Sequence, residues 1–240
     1  MMERINMVKN HSVSIPEKLT QEDIMNKKIT NDYLLKDQHA EWTENKRYKQ
    51  RIKDTLDKAL KEHPRTLVLK IELYIPDTSY NADSTLMTRF IASLNAQIAA
   101  DIQKRSNNGA RVHPCTLRFV WAREFHEDGR KHYHLGLLFN KDTYAYPGTY
   151  HPDEKGQYTH NLSLMIMNAW IRTLKLDNDV DYQKHYWLVN FADNFYFHLN
   201  KNQISFLVAY PLVLGRLRYL TKDYTKNYSD GQRSFGCSQY

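Results

Sequence analysis

Two stretches of alternating apolar residues, separated by a short polar loop, constrain this chain more than any other feature. "TLRFVWAREF" (116–125) leads into "HEDGR" (126–130) and then "KHYHLGLLF" (131–139). Successive side chains of a strand point to opposite faces. Leu117, Phe119 and Trp121 therefore share one face, while Arg118, Val120, Ala122 and Glu124 share the other. In the second stretch Tyr133, Leu135, Leu137 and Phe139 oppose His132, His134, Gly136 and Leu138. A loop of turn-forming residues between two such runs predicts an antiparallel hairpin.

The hairpin brings chemistry with it. If the turn centres on Asp128, Glu124 lies across from His132. Cross-strand partners project to the same face with Cβ atoms about 5 Å apart. Glu124, His132 and His134 then converge on the less apolar face. Two imidazoles and a carboxylate are enough to hold a divalent cation and leave positions open for water or phosphate. Gly136, on that same face, leaves room for a substrate backbone to approach. The plainer reading is polar residues on the wet face of a half-exposed sheet.

The rest of the chain supplies flanking elements. Residues 1–40 are polar with little periodicity and read as an arm, loosely ordered or partly helical. Glu41 to Glu62 has helical spacing at Tyr48, Ile52, Leu56, Ala59 and Leu60, and stops at His63-Pro64. "TLVLKIELYIP" alternates as a strand: Leu67, Leu69, Ile71, Leu73 and Ile75 against Val68, Lys70, Glu72 and Tyr74. Residues 83–105 read as a helix capped by Asp83 or Ser84, and 161–175 as another. At least one strand falls between Trp187 and Leu199. A last helix runs from about Pro211 to about Lys226. This order predicts an α+β fold, a central antiparallel sheet with flanking helices. The expected organisation is an arm (1–40) and one domain (41–240), in which 41–62 is a flanking helix and 64–240 the core.

Composition narrows the function classes. The chain of 240 residues carries 34 Lys and Arg against 27 Asp and Glu, and the resulting +7 fits a polyanionic partner. Seventeen tyrosines among those cations suit base stacking combined with phosphate contact. Cys115 and Cys237 form no CxxC pair, which excludes a zinc ribbon and points to a reducing cytoplasm. There is no stretch that reads as a membrane span or a signal peptide, and no P-loop.

The last helix contains "RLRYLTKDYTKN" (216–227). On a helix, Val213, Leu217, Leu220 and Tyr224 form a core stripe, and Arg216, Tyr219, Lys222 and Lys226 form a second one. Tyr219 thus sits among cations, and neighbouring positive charge steadies a phenolate. A phenolate can attack phosphorus and become a covalent phosphotyrosine.

In this order, a strand, a carboxylate–hairpin–HxH unit and a late YxxK helix resemble the HUH endonucleases, which include rolling-circle replication initiators, relaxases and related transposases. His132-Tyr133-His134 is similar to the HUH motif, and "YLTKD" (219–223) to the motif bearing the nucleophile. "HYHLGLLFN", "YLTKDYTK" and "RSFGCS" most resemble the filamentous-phage initiators of the gene-II type and the YagK/YfjJ-like prophage proteins. The resemblance covers roughly residues 64–240. It implies a Rep-like core of about five antiparallel strands, ferredoxin- or RRM-like. It implies a magnesium or manganese ion on Glu124, His132 and His134, with Tyr219 as nucleophile and Lys222 as its helper. It further implies nicking and rejoining of single-stranded DNA at a replication origin, in the cytoplasm of a bacterial host, with a host helicase and polymerase as partners. Arg216, Lys226 and Arg233 are the expected DNA contacts. Tyr219 and Tyr224 are five residues apart, about 140° around a helix, so a single working tyrosine is expected. Two alternatives stay open: a non-catalytic DNA-binding or regulatory protein with the same fold, and a metal-dependent hydrolase that uses water.

Overall fold

The computed structural model describes residues 43–192, 194–223 and 226–239. The expected N-terminal arm and Tyr224 lie outside the described residues. Among the described residues the elements are α1 (Lys46–Glu62), β1 (Arg65–Tyr74), α2 (Leu86–Asn107), β2 (Arg118–Phe125), β3 (Lys131–Asn140), α3 (Leu162–Thr173), β4 (Val189–Asn190), β5 (Tyr196–Asn200), α4 (Phe206–Arg218) and β6 (Phe235–Cys237). The α+β class holds. Among the described residues six strands form one antiparallel sheet in the order β4-β1-β3-β2-β6, and β5 also pairs with β1. Because β4 meets β1 at Glu72 and Leu73 and β5 meets it from Arg65 to Leu69, the two short strands share one edge. The sheet is therefore five positions wide. The region from Trp187 to Leu199, where at least one strand was expected, holds β4 and most of β5, and β6 had no sequence expectation.

Alternation in β1 sorts the core into two layers. Leu67, Leu69, Ile71 and Leu73 pack with α2 and α3, around Phe90 and Trp170. Val68, Val120, Ala122 and Leu138 face the other way and pack with α1 and α4, through Ile52, Leu56, Val213 and Leu217. Both faces of the sheet are thus covered. Every residue of β3 is buried, so its polar face is not the wet face of a half-exposed sheet.

Helix ends follow local chemistry. α1 begins at Lys46, where the Asn45 side chain accepts from the Tyr48 N–H. α2 begins at Leu86; the Asp83 carboxylate accepts from the N–H and hydroxyl of Thr85, the residue before that helix. The last helix departs most from expectation. It starts at Phe206, with Pro211 inside it, and its α-helical bonding stops at Arg218 instead of continuing to Lys226. Tyr219–Thr221 is a single 3-10 turn in which the Thr221 hydroxyl donates to the Arg218 carbonyl. That carbonyl is taken by a side chain, a local bond that competes with helix continuation. Lys222 then turns extended, with φ −52° and ψ 132°.

Gly136 fixes where α4 lies. A Cβ placed there would meet Leu217 Cδ2 at 2.6 Å and Val120 Cγ2 at 3.0 Å. The space expected for a substrate backbone is filled by a leucine of α4, so the missing side chain serves helix-on-sheet packing. Gly136→Ala should push α4 off the sheet and cost about 1–3 kcal/mol, a typical overpacking penalty, read as a lower urea midpoint at unchanged slope.

Candidate metal centre and nucleophile

The hairpin register places Glu124 opposite His132 and Ala122 opposite His134, as the alternation predicts. On the other side of β3, Glu72 stands opposite His134 and Tyr74 opposite His132. Glu124, His132 and His134 are all buried, at 3%, 6% and 4% exposure, which removes them from ordinary surface polarity. His132 Nε2 lies 3.1 Å from His134 Nε2, and His134 Nε2 lies 3.3 Å from Glu124 Oε2. One donor atom from each of the three residues falls within 4.8 Å of the others.

Electrostatics fit this donor set to a cation. Burial, with His134 and His126 beside it, pushes His132 down to about 4, so its imidazole is neutral at pH 7. Burial also opposes charge on His134, yet Glu124 and Glu72 hold it above the ordinary histidine value. His134 Nδ1 lies 3.1 Å from Glu72 Oε1, at ion-pair distance though out of line for a good hydrogen bond. A carboxylate on the far nitrogen favours a proton there and turns the Nε2 lone pair toward the cluster, the usual arrangement behind a metal-bound histidine. His134 holds Glu72 well below the carboxylate range against the effect of burial, and Tyr74 and Asn190 assist. Burial and Glu72 in turn push Tyr74 up to about 12. Glu72 is a member of the site that the sequence reading missed. Its alternation placed it on the correct face, but nothing in the sequence said which strand would lie beside it.

Tyr219 comes to the same place from α4. Its ring sits edge-on to His134 with 5.1 Å between centroids. The Lys222 ammonium lies 3.3 Å from the ring centroid, and Lys70 of β1 lies 4.6 Å from it. Two cations therefore lie against one phenol, and Lys70 is a second residue the sequence reading did not name. Cation–ring attraction of this kind contributes about 0.5–2 kcal/mol and grows with desolvation.

The expected DNA contacts separate. Arg216 and Arg233 are exposed. Lys226 is buried, with its Nζ 3.4 Å from Glu124 Oε1. Burial pushes its pKa down while Glu124 opposes that shift. Because α4 ends at Arg218, Lys226 does not lie on its outward face. Arg123, 1% exposed, holds the following loop from the opposite face of β2 through Asp230 and the carbonyls of Asn227 and Gln232.

The fold and site together define an antiparallel α+β protein with a buried candidate metal centre. Residues 17–238 match the YagK/YfjJ C-terminal domain, and the chain belongs to that family. It is similar to the uncharacterized protein YagK of Escherichia coli (strain K12), 34% identical over 201 residues that cover 80% of this chain and 92% of YagK. It is similar also to the uncharacterized protein YfjJ of the same organism, 32% identical over 203 residues that cover 80% of this chain and 93% of YfjJ. No solved structure gives a significant match. No helix among the described residues is long and apolar enough to cross a membrane.

Removing one partner of a buried ion pair leaves the other charge uncompensated, whereas removing both is far milder. Glu124→Gln should lower stability by about 3 kcal/mol in chelator-treated buffer, and adding Lys226→Met should restore part of it, the remainder being the partner that His134 has lost. Equal losses from the single and double variants, in a denaturant titration, would contradict the pairing.

Proposed function

We propose that this protein is a metal-dependent DNA strand transferase that nicks and rejoins single-stranded DNA at a replication origin, with Tyr219 as nucleophile. The observation that carries the reading is the position of the Tyr219 ring beside the Lys70 and Lys222 ammonium groups and against His134. A tyrosine used only for packing has no need of two cations and a candidate ligand around its ring.

Glu124, His132 and His134 would hold the ion, and carboxylate with imidazole suits manganese or magnesium. A bound divalent ion supplies Lewis-acid polarisation of a non-bridging phosphate oxygen. The chain's own residues do the rest. The Tyr219 oxygen attacks the scissile phosphorus, and the bond to the 3′ oxygen breaks. The phenol proton is lost and the departing oxygen gains one, so the products are a 5′-phosphotyrosine and a free 3′-hydroxyl. Lys222 and Lys70 offset the charge that develops around the phosphate. Glu72 holds the His134 ring in the orientation the site needs. Exposed Arg216 and Arg233 are available to the DNA backbone. Attack on the phosphotyrosine by a later 3′-hydroxyl reverses the step and rejoins the strand. A host helicase and polymerase would then act on the opened duplex and the 3′ end. A DNA-binding protein without chemistry would use the same exposed cations but form no covalent bond.

The test uses the full chain, manganese and a random-sequence single-stranded 40-mer library labelled at its 3′ end. A slow-migrating adduct on a denaturing gel is expected, since the strand 3′ of the nick stays on the protein. Tyr219→Phe should lose adduct and cleavage together while retaining DNA binding, and His132→Ala with His134→Ala should lose both products. Cleavage that survives Tyr219→Phe would replace the tyrosine mechanism with attack by water.

A further inference from the structure

The segment just before α1 is bound to the segment that carries Tyr219. The Asn45 N–H donates to the Thr221 carbonyl at 3.0 Å, and the Asp223 N–H donates to the Thr43 carbonyl at 3.2 Å. Glu44 and Lys222 between them form an antiparallel bridge. The Glu44 carboxylate accepts from Arg218 Nε at 2.9 Å and pairs with Lys49 Nζ at 3.0 Å. Asn45 then caps α1, which is fixed in the core by Ile52, Leu56, Ala59 and Leu60. The result is a strap from a helix anchored in the core by one face to the residues on either side of Tyr219.

That part of the chain needs one. Helical bonding ends at Arg218, and Tyr219–Thr221 is a lone 3-10 turn. Such turns have poor hydrogen-bond geometry and little stability of their own. Leu220 and Thr221 are buried, and the Tyr219 ring lies against His134 of the sheet.

We infer that Glu44 is a positioning residue for Tyr219, which it holds in place through Arg218, beside a strand-like pairing made by the backbones of Thr43 and Asn45. The role rests on the proposal that Tyr219 is the nucleophile. Glu44 touches none of the ligand residues in the described contacts; it acts at the base of the turn. Its side chain is 20% exposed and that of Arg218 43%, so the ion pair is of the partly solvated kind that contributes little to global stability. Its effect should appear in the geometry of attack, where a displacement near 1 Å can cost on the order of a hundredfold in rate.

The experiment compares wild type with Glu44→Gln, Arg218→Gln, the double variant and Glu44→Asp. It reads single-turnover adduct formation on the oligonucleotide library with manganese, DNA affinity, and amide hydrogen exchange of residues 219–223. Glu44→Gln should slow adduct formation by about tenfold or more with DNA affinity unchanged. The double variant should be no slower than the slower single, and Glu44→Asp should recover most of the rate. Exchange at 219–223 should speed up in Glu44→Gln with or without DNA. A Glu44→Gln protein with wild-type rate, or with unchanged exchange in that turn, overturns the positioning role. Absence of adduct from the wild type removes the nucleophile and with it the purpose of the strap, while the exchange measurement still decides whether the strap holds the turn.

Discussion

The close approach of Leu217 to Gly136 determines how the site is built. Leu217 of α4 packs into the place a side chain on β3 would fill, which brings the helix close to the sheet there. Two residues along β3 from the contact is His134, and two residues along the chain from Leu217, just past the end of α4, is Tyr219. The same contact that seals the core between α1, α4 and the sheet therefore sets the phenol against the imidazole. Packing and chemistry are joined in one place, and a methyl group there would disturb both.

The polar cluster beyond that contact is organised by charge. Glu72 and Glu124 flank His134 on two neighbouring strands, and Lys226 stands at the far side of Glu124. In a buried setting each of these charges is tolerable only because of the others. His132 is already neutral, as a nitrogen ligand must be, whereas His134, which Glu124 and Glu72 hold toward the charged form, would give up a proton on binding an ion. Lys70 and Lys222 lie on the other flank, over Tyr219. One part holds oxygen and nitrogen donors suited to a cation, and the other holds two ammonium groups against the Tyr219 ring, the proposed nucleophile. In the proposed reaction a phosphodiester, anionic and electrophilic at phosphorus, would lie between the ligand cluster and the Tyr219 oxygen.

What could be read from the sequence follows from which interactions are local. The Glu124–His132 register was legible because a five-residue turn and a period of two leave little freedom. The buried face of β1 was legible for the same reason. Glu72 and Lys70 were placed on the correct face but not in the site, since alternation does not name the neighbouring strand. Lys226 was read as a DNA contact because its helix was extended through the Thr221 turn; once that helix ends, the chain carries Lys226 back to Glu124 instead. Gly136 was recognised as space, but the occupant comes from 81 residues away in the chain. Strands β4 and β6, with two and three residues, are too short to show a period at all.

Manganese scatters anomalously, which allows the ion to be located directly. Crystals of the full chain grown with manganese and measured near its absorption edge should show one strong anomalous peak within about 2.0–2.3 Å of one Glu124 oxygen and the Nε2 atoms of His132 and His134, with the Tyr219 hydroxyl facing it. A peak elsewhere on the protein, or a Tyr219 hydroxyl turned into the core between α1 and α4, would contradict the account.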